Sequence, residues 1–227
     1  MTSSQDRLKE QVAEAAIDAL KALPLSEIKL GIGTGSTAEC FIRRLPEIRH
    51  LIEVTVASSK RSEDLLKSLG IPVEDLNAVG PMDAYVDGTD EVNGALQLIK
   101  GGGAALTREK IIAEASHWFL CIADESKQVE NLGRFPLPVE VIPMARSQVA
   151  RQLKALGGDP IWREGTITDN GNVILDVHNL AIIDAVQLES DINQMVGVVT
   201  NGLFARRPAD LVLLSAESGI HRLSPER

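Results

Sequence analysis

The sequence predicts an α/β protein with a parallel-sheet, Rossmann-like domain and a smaller ferredoxin-like α+β second domain. Apolar strand-like runs alternate with helix-like runs through 28–123, which favours a parallel sheet with helices on its faces. After the proline-rich stretch 135–138, the runs follow the order β-α-β-β-α-β, which is typical of the split ferredoxin-like arrangement. We therefore expect a first domain formed by 1–133 with 205–227, and a second domain at 134–204.

The elements of the first domain follow from apolar spacing and from the residues that stop each run. Leu8, Val12 and Leu20 share one helix face, and Pro24 ends that helix. Gly70 closes a later helix. The predicted helices are at 6–23, 36–45, 62–69 and about 107–116, and the predicted strands are at 28–32, 52–57, 71–76, 84–87, 96–99 and 118–123.

The second domain contains a strong hairpin signal. Asn170–Gly171, the favoured type I′ pair, stands between the strand-like runs 167–169 and 173–175. The other predicted elements are a strand at 139–142, a helix at 145–156 that ends at Gly157–Gly158, a helix at 184–194, a strand at 196–200, and a last strand at 210–214 that returns to the first sheet.

Composition limits the classes of partner. The chain has 227 residues and a net charge of −9, which argues against nucleic acid or an anionic membrane as the main partner. The polar N-terminus lacks an apolar targeting run and no segment reaches membrane-spanning length, so we expect a cytoplasmic protein. Cys40 and Cys121 lie in apolar runs without metal-binding spacing, which favours free thiols over a disulfide.

A glycine-rich turn at 31–37, Gly-Ile-Gly-Thr-Gly-Ser-Thr, joins the first predicted strand to the second predicted helix. It is neither a dinucleotide-binding fingerprint, whose third glycine is replaced by Ser36, nor a Walker A loop, which needs Gly-Lys-Ser/Thr. Backbone N–H groups and the hydroxyls of Thr34, Ser36 and Thr37 suit a phosphate. The alternative is a tight turn in which Ser36 or Thr37 only caps the helix.

Three carboxylates, Asp87, Asp90 and Glu91, follow the end of a predicted strand. Open α/β sheets bind ligands at the carboxyl ends of their strands, where such acids can accept sugar hydroxyls or move protons. A Mg²⁺ site and a solvated acidic loop are the alternatives. The four histidines are scattered along the chain, which argues against a transition-metal site.

The segment 100–110 combines a cation, backbone donors and a carboxylate. Lys100 precedes three consecutive glycines, and Glu109 follows on the first turn of a predicted helix. This set suits binding an anionic substrate and moving a proton on it. The alternative is a plain helix N-terminus whose dipole stabilises Glu109. Lys127 follows another predicted strand end and could reach the same pocket.

Taken together, these motifs resemble the A-type ribose-5-phosphate isomerases. The match covers the family's Gly-x-Gly-Thr-Gly-Ser-Thr at 31–37, its Asp-Gly-Ala-Asp-Glu at 87–91, its Lys-Gly-Gly-Gly-x-x-x-x-Arg-Glu-Lys at 100–110, and the shorter segments 122–127, 135–140 and 168–172. Similarity runs from about residue 6 to residue 215. Thr89 stands where the family usually has alanine, which adds a hydroxyl and a methyl group to the site.

The resemblance implies a cofactor-free aldose–ketose isomerase of the non-oxidative pentose phosphate pathway. It would interconvert D-ribose 5-phosphate and D-ribulose 5-phosphate through an enediol(ate), with Glu109 moving the proton between C2 and C1. Asp87, Asp90 and Lys100 would contact the sugar end, assist ring opening and stabilise the oxyanion. The implied substrate-binding residues are Thr34, Gly35, Ser36, Thr37, Asp87, Gly88, Thr89, Asp90, Lys100, Gly101, Gly102, Gly103 and Lys127. The resemblance also implies no metal and a homo-oligomer, for which a dimer is the first expectation.

The chemistry of the residues agrees with that implication. Enolisation beside a carbonyl needs one carboxylate base and one electrophile near the oxygen, and it needs no redox cofactor. An amino-sugar-phosphate deaminase or a phosphogluconolactonase would need a histidine at the site, which no motif supplies. A sugar-phosphate-sensing regulator would need a DNA-binding segment with a basic face, for which the chain has no spare stretch.

Overall fold

The structure, a computed structural model, describes residues 4–225 in two units. Residues 1–3 and 226–227, at the ends of the predicted first domain, lie outside the described residues. The first unit consists of the described parts of Met1–Gly88, Arg108–Lys127 and Ala209–Arg227, and the second of Thr89–Thr107 and Gln128–Pro208. The second unit therefore takes in 89–107, 128–133 and 205–208 as well as the predicted 134–204. Segment 89–107 belongs to it because the short strand predicted at 96–99 pairs antiparallel within this unit and does not join the parallel sheet.

All six predicted helices occur, and α4 is an additional short helix. The α-helices are α1 (Ser4–Lys21), α2 (Ser36–Arg44), α3 (Lys60–Ser68), α4 (Leu76–Val79), α5 (Leu106–Glu114), α6 (Arg146–Ala155) and α7 (Ala185–Asn193), and 3₁₀ turns occur at Leu45–Leu51, Glu125–Lys127 and Pro143–Ala145. Across residues 4–225, none of the helices combines the length and the hydropathy needed to cross a bilayer.

The strands divide between the two units. They are β1 (Ile28–Ile32), β2 (Ile52–Ala57), β3 (Met82–Asp87), β4 (Glu91–Val92), β5 (Leu98–Ile99), β6 (Ser116–Asp124), β7 (Leu137–Val141), β8 (Asp159–Trp162), β9 (Val173–His178), β10 (Val198–Asn201), β11 (Leu203–Phe204), β12 (Leu211–Ala216) and β13 (Gly219–Leu223).

The first unit is built on a six-stranded sheet in the order β13-β12-β6-β3-β1-β2. Its strands are parallel except β13, which pairs antiparallel with β12 and was not predicted. Apolar residues of α1, α2 and the inner strands form one core, which includes Leu20, Phe41 and Leu30. The carboxyl ends of β1, β3 and β6 consequently lie at one edge of this sheet.

The second unit confirms the predicted β-α-β-β-α-β order. Strands β10-β7-β9-β8 form an antiparallel sheet in that order, with α6 and α7 as the two crossover helices. Val139, Leu153 and Ile192 belong to its core. A separate three-stranded sheet, β11-β5-β4, completes the unit.

The strand predicted at 71–76 is wrong. Only a single bridge, between Thr55 and Val73, forms there. Asp75 then caps the helix α4 by accepting a hydrogen bond of 2.8 Å from the N–H of Asn77. The apolar run is thus too short for a strand because a helix cap follows it directly.

The type I′ hairpin predicted at Asn170–Gly171 is also wrong. Gly171 has a φ of 81°, but Asn170 is not in the left-handed region that a type I′ turn requires at both positions. The Gly171 N–H donates to the Thr168 carbonyl at 2.8 Å, and β9 pairs with β8 instead of 167–169. The cause is the buried carboxylate of Glu140, to which Thr168, Asn170 and Asn172 all donate side-chain hydrogen bonds.

We predict that Gly202→Ala destabilises the protein. Gly202 lies close to two other segments, because the Lys100 N–H donates to its carbonyl and its own N–H donates to the Pro138 carbonyl. A Cβ on Gly202 would overlap the Lys100 carbonyl oxygen and crowd the Pro138 ring. Overpacking of this kind costs about 1–3 kcal/mol. Urea unfolding should show the loss. Gly94→Ala is the matched control, since a Cβ there meets no atom within 4 Å. Equal midpoints for the two variants would contradict the prediction.

Candidate functional site

Asp87, at the end of β3, is a fully buried carboxylate that accepts hydrogen bonds from backbone N–H groups and from a phenol. One oxygen accepts from the backbone N–H of Thr34 at 3.0 Å and from that of Gly88 at 2.7 Å. The other oxygen accepts from the hydroxyl of Tyr85. A buried charge is tolerated when hydrogen bonds replace its hydration. These hydrogen bonds also hold the Asp87 carboxylate in a single orientation.

Tyr85 lies two residues before Asp87 on the same strand, so the two side chains share a face of the sheet. Burial raises the pKa of Tyr85 well above its ordinary value. The charges of Asp87 and Glu109 and the bond to Asp87 raise it further, while a bond with Ser58 lowers it. The phenol therefore remains a neutral donor. The sequence analysis gave Tyr85 no role, although the spacing of two residues was a usable signal.

The glycine-rich turn after β1 fits closely around Asp87. A Cβ on Gly33 would overlap the Asp87 carboxylate, so that position requires glycine. Gly35, with a φ of 114°, is the N-cap of α2, and no side chain caps the helix. The alternative that Ser36 or Thr37 caps α2 is therefore wrong, because both residues already belong to the helix. The first N–H groups of α2 lack a capping side chain.

A chain of hydroxyls connects this turn to the turn after β2. The Thr34 hydroxyl is 2.7 Å from that of Ser58 and 2.8 Å from that of Ser59. Ser59 donates to Ser62 at 3.1 Å, and Ser62 donates to the carbonyl of Gly33 at 2.7 Å. The hydroxyls thus fix the position of Thr34. The serines were not among the predicted site residues because their partners lie about 25 positions away in sequence.

The first unit gathers several predicted site residues at the carboxyl edge of its sheet. Thr34 follows β1, Asp87 ends β3, and Lys127 is half-buried in the turn after β6. Glu109 is 3% exposed in the first turn of α5, and its charge acts on Tyr85. This unit therefore presents two buried carboxylates, a set of hydroxyls and an uncapped helix N-terminus.

The second unit holds the other predicted residues, Asp90, Lys100 and the glycines that follow. Asp90 accepts from the Gly102 N–H at 2.8 Å, and a Cβ on Gly102 would lie 2.8 Å from the same carboxylate. Lys100 is 2% exposed, with its ammonium 5.6 Å from the centre of the Phe204 ring. Aromatic faces attract cations, so this contact limits where the ammonium can lie.

The remaining members of the acidic segment have structural partners. The hydroxyl of Thr89 lies 2.7 Å from the Glu91 carbonyl and 2.9 Å from the Ile99 carbonyl, so its extra hydroxyl serves the local backbone. The buried carboxylate of Glu91 accepts from the N–H groups of Gly133 and Phe135. Within 4–225, no three His, Cys, Asp or Glu side chains are grouped as a metal site would need.

Arg163 was missed entirely by the sequence analysis. Its guanidinium donates to the carbonyls of Gly101, at 3.0 Å, and Gly102, at 3.2 Å. No local sequence pattern could have identified Arg163, because its partners lie about 60 residues earlier in the chain and other helices and strands are formed between them.

Comparison with known proteins gives a consistent result. A family model described as ribose 5-phosphate isomerase A (phosphoriboisomerase A) matches residues 54–219. The ribose 5 phosphate isomerase A of Neisseria gonorrhoeae is 47% identical, with 100% of both chains covered and a TM-score of 0.94. The ribose 5-phosphate isomerase A of Methanocaldococcus jannaschii is 39% identical, with 97% of this chain and 99% of that chain covered and a TM-score of 0.89.

A third similar structure is a D-ribose-5-phosphate isomerase in complex with phospho-erythronic acid. It is 35% identical, covers 98% of this chain and 100% of its own, and has a TM-score of 0.90. That ligand is a phosphorylated sugar acid.

We predict that Tyr85 resists ionisation in the folded protein. It is the chain's single tyrosine, so phenolate absorbance reports it alone. Free tyrosine ionises near pH 10, whereas the native protein should show no phenolate there and the urea-unfolded chain should. Because the folded state holds this proton more tightly, Tyr85 should lower the free energy of unfolding as the pH rises above about 10. Native titration near the free value, with circular dichroism unchanged, would contradict the prediction.

Proposed function

The chain belongs to the ribose 5-phosphate isomerase A family and interconverts D-ribose 5-phosphate and D-ribulose 5-phosphate, and from this premise we propose which residues carry the reaction. In the forward direction a proton leaves C2 of the aldose, the C1 carbonyl oxygen gains a proton, and C1 then receives a proton as the C2 hydroxyl becomes the carbonyl. This chemistry needs a base and an electrophile.

Glu109 is the proposed base. The observation that carries this assignment is its burial, with 3% exposure, in the first turn of α5 on the side of the unit that holds Asp87 and Tyr85. A carboxylate shielded from bulk water meets a carbon acid without a competing hydration shell. Glu109 would remove the C2 proton and return it to C1, so that one residue serves both halves of the reaction.

Lys100 is the proposed electrophile, and Asp87 and Asp90 are the proposed acceptors for the sugar end. An enediolate carries more negative charge on oxygen than the substrate carbonyl does, so a fixed ammonium stabilises the transition state more than the ground state. The contact of Lys100 with Phe204 supports a fixed position. The hydrogen bonds of both aspartates orient their carboxylates before substrate arrives, which favours defined contacts with hydroxyls and assistance to ring opening.

The phosphate is proposed to bind at the N-terminus of α2. Gly35, Ser36 and Thr37 supply N–H groups there, and the absence of a capping side chain supports an anion as their partner. Thr34 and Lys127 belong to the same sheet edge and are assigned to the same end of the substrate. Gly88, Thr89 and Gly101–Gly103 are assigned backbone contacts, since the Thr89 hydroxyl already serves two carbonyls.

The proposed steps use side chains alone, with no cofactor and no metal ion. Lys100 would supply the positive charge that a metal ion supplies in other enolisations. Activity should therefore persist after exhaustive treatment with EDTA in metal-free buffer. Activity that is lost and then restored by Mg²⁺ would overturn this part of the proposal.

We predict that Glu109→Gln lowers kcat by at least about 10², the usual contribution of a positioned base, with little change in KM. Glutamine keeps the size of the side chain and removes the proton acceptor. Glu114→Gln is the matched control, because Glu114 is exposed on the same helix. Coupled assays with ribose 5-phosphate measure both constants. A folded Glu109→Gln variant with the turnover of the control would exclude Glu109 as the base.

We further propose that the enzyme works as a homodimer. The second unit exposes apolar side chains at neighbouring turns: Met144 is 98% exposed, Val196 86% and Ile142 49%. The Ile142 N–H donates to the Gly197 carbonyl at 2.9 Å, which holds the two turns side by side. Contiguous exposed apolar side chains of this kind mark association surfaces.

The cytoplasm is the proposed compartment. Cys40 and Cys121 are free thiols, as the sequence predicts, and Cys121 is buried while Cys40 is half-buried. Burial raises the pKa of Cys40 to about 11, so its thiol stays protonated at neutral pH. Unpaired thiols are usual in reducing compartments, which supports this location.

We predict that the double variant Met144→Asp/Val196→Asp shifts the protein towards the monomer, because carboxylates at the centre of an apolar contact would lose their hydration on association. Sedimentation velocity at matched concentrations measures the shift. Leu25→Asp, at an apolar side chain 41% exposed in the first unit, is the control. Unchanged sedimentation of the double variant would refute this surface as the interface.

A further inference from the structure

The peptide group between Gly101 and Gly102 is held at both of its polar ends. Its carbonyl oxygen accepts from an Nη of Arg163 at 3.0 Å, and its N–H donates to the carboxylate of Asp90 at 2.8 Å. In a trans peptide the C=O and N–H point in opposite directions. Arg163 and Asp90 therefore stand on opposite sides of a single peptide, and the three groups lie in the second unit.

Arg163 is itself held in place. It follows β8, and its Nε and second Nη both donate to the carboxylate of Asp176 on β9, with 2.8 Å for the Nε bond. The two side chains are only 19% and 16% exposed. Such two-point pairing fixes the plane of a guanidinium. The remaining Nη then faces the carbonyls of Gly101 and Gly102.

The glycine loop requires an outside constraint of this kind. Three consecutive glycines have large conformational freedom, and Gly101 adopts a φ of 112°, which only glycine adopts readily. A positive group at the carbonyl also polarises the peptide, which strengthens the hydrogen bond that the Gly102 N–H donates to Asp90. Arg163 thus selects one loop conformation and reinforces the bond that orients Asp90.

From this geometry we propose that Arg163 is a positioning residue for Asp90, acting through the Gly101–Gly102 peptide and held by Asp176. The inference rests on the proposed role of Asp90 at the sugar end of the substrate. Arg163 need not touch the substrate. Its function is to keep the Gly102 N–H aimed at Asp90, so that the carboxylate meets the sugar hydroxyls in one orientation.

The test is a double-mutant cycle with Arg163→Met and Asp90→Asn, assayed for kcat and KM. A misplacement of about 1 Å caused by a remote mutation can cost about 10²-fold in rate, so Arg163→Met should lower kcat/KM by roughly 10- to 100-fold. In the Asp90→Asn background the same change should cost less than about threefold, because coupled residues are not additive. Arg163→Lys, which keeps the charge, should recover part of the loss. Arg151→Met, at an exposed arginine of α6, is the control and should match wild type.

A second readout does not depend on activity. The amide proton resonance of Gly102 should move upfield in both Arg163→Met and Asp90→Asn, because each variant weakens the same hydrogen bond. If Arg163→Met fails to fold, Arg163→Lys carries the same cycle and the same resonance, since a lysine cannot pair with Asp176 and two carbonyls together.

The outcomes separate two failures. If Asp90→Asn lowers kcat/KM but Arg163→Met costs the same factor in both backgrounds, Arg163 is only structural and this inference is overturned while the role of Asp90 stands. An unmoved Gly102 resonance in Arg163→Met also overturns it. If Asp90→Asn leaves kcat/KM at the wild-type level, the proposed role of Asp90 fails first, and the inference that rests on it fails with it.

Discussion

The buried carboxylate of Asp87 is the constraint on which the functional edge of the first unit depends. Removing a charge from water costs several kcal/mol unless donors replace its hydration. The backbone N–H groups of Thr34 and Gly88 and the Tyr85 hydroxyl are those donors. Each imposes a further condition: position 33 must lack a Cβ, the turn that carries Thr34 must be fixed, and Tyr85 must stay protonated. The glycine-rich motif is thus shaped by a carboxylate more than fifty residues later.

Buried carboxylates organise the loops of the second unit in the same way. Glu91 accepts hydrogen bonds from the backbone N–H groups at 133 and 135. Glu140 accepts them from side chains of the turn at 168–172 and from the hydroxyl of Thr107. Glu189 accepts from the N–H groups of Ala205 and Arg206 at 2.9 Å each. Loops without regular structure need partners for their polar groups. Removing any of these carboxylates would leave at least two donors without that acceptor at once.

The buried and half-buried charged side chains of the protein therefore have two kinds of role. Glu91 and Glu189 accept hydrogen bonds from backbone N–H groups of loops, and Glu140 accepts them from loop side chains. Asp87, Asp90, Lys100 and Glu109, in contrast, are the groups assigned to the sugar phosphate. A protein of net charge −9 can still bind an anion, because short-range contacts with N–H groups and single cations decide binding in one pocket. Lys100, buried beside Phe204, shows how one cation is kept in place within an acidic chain.

The sequence by itself determined the class of fold, the six longer helices, the main strands of the parallel sheet and the motifs that identify the family, because periodicity, glycines and helix stops act over a few neighbouring residues. Only the tertiary structure decided that Leu98–Ile99 joins β4 and β11, that the turn at 168–171 bends around Glu140, and that Tyr85 and Arg163 orient the two aspartates. The reason is physical: a hydrogen bond between groups sixty residues apart depends on the packing of everything between them. No local pattern in the chain records that packing.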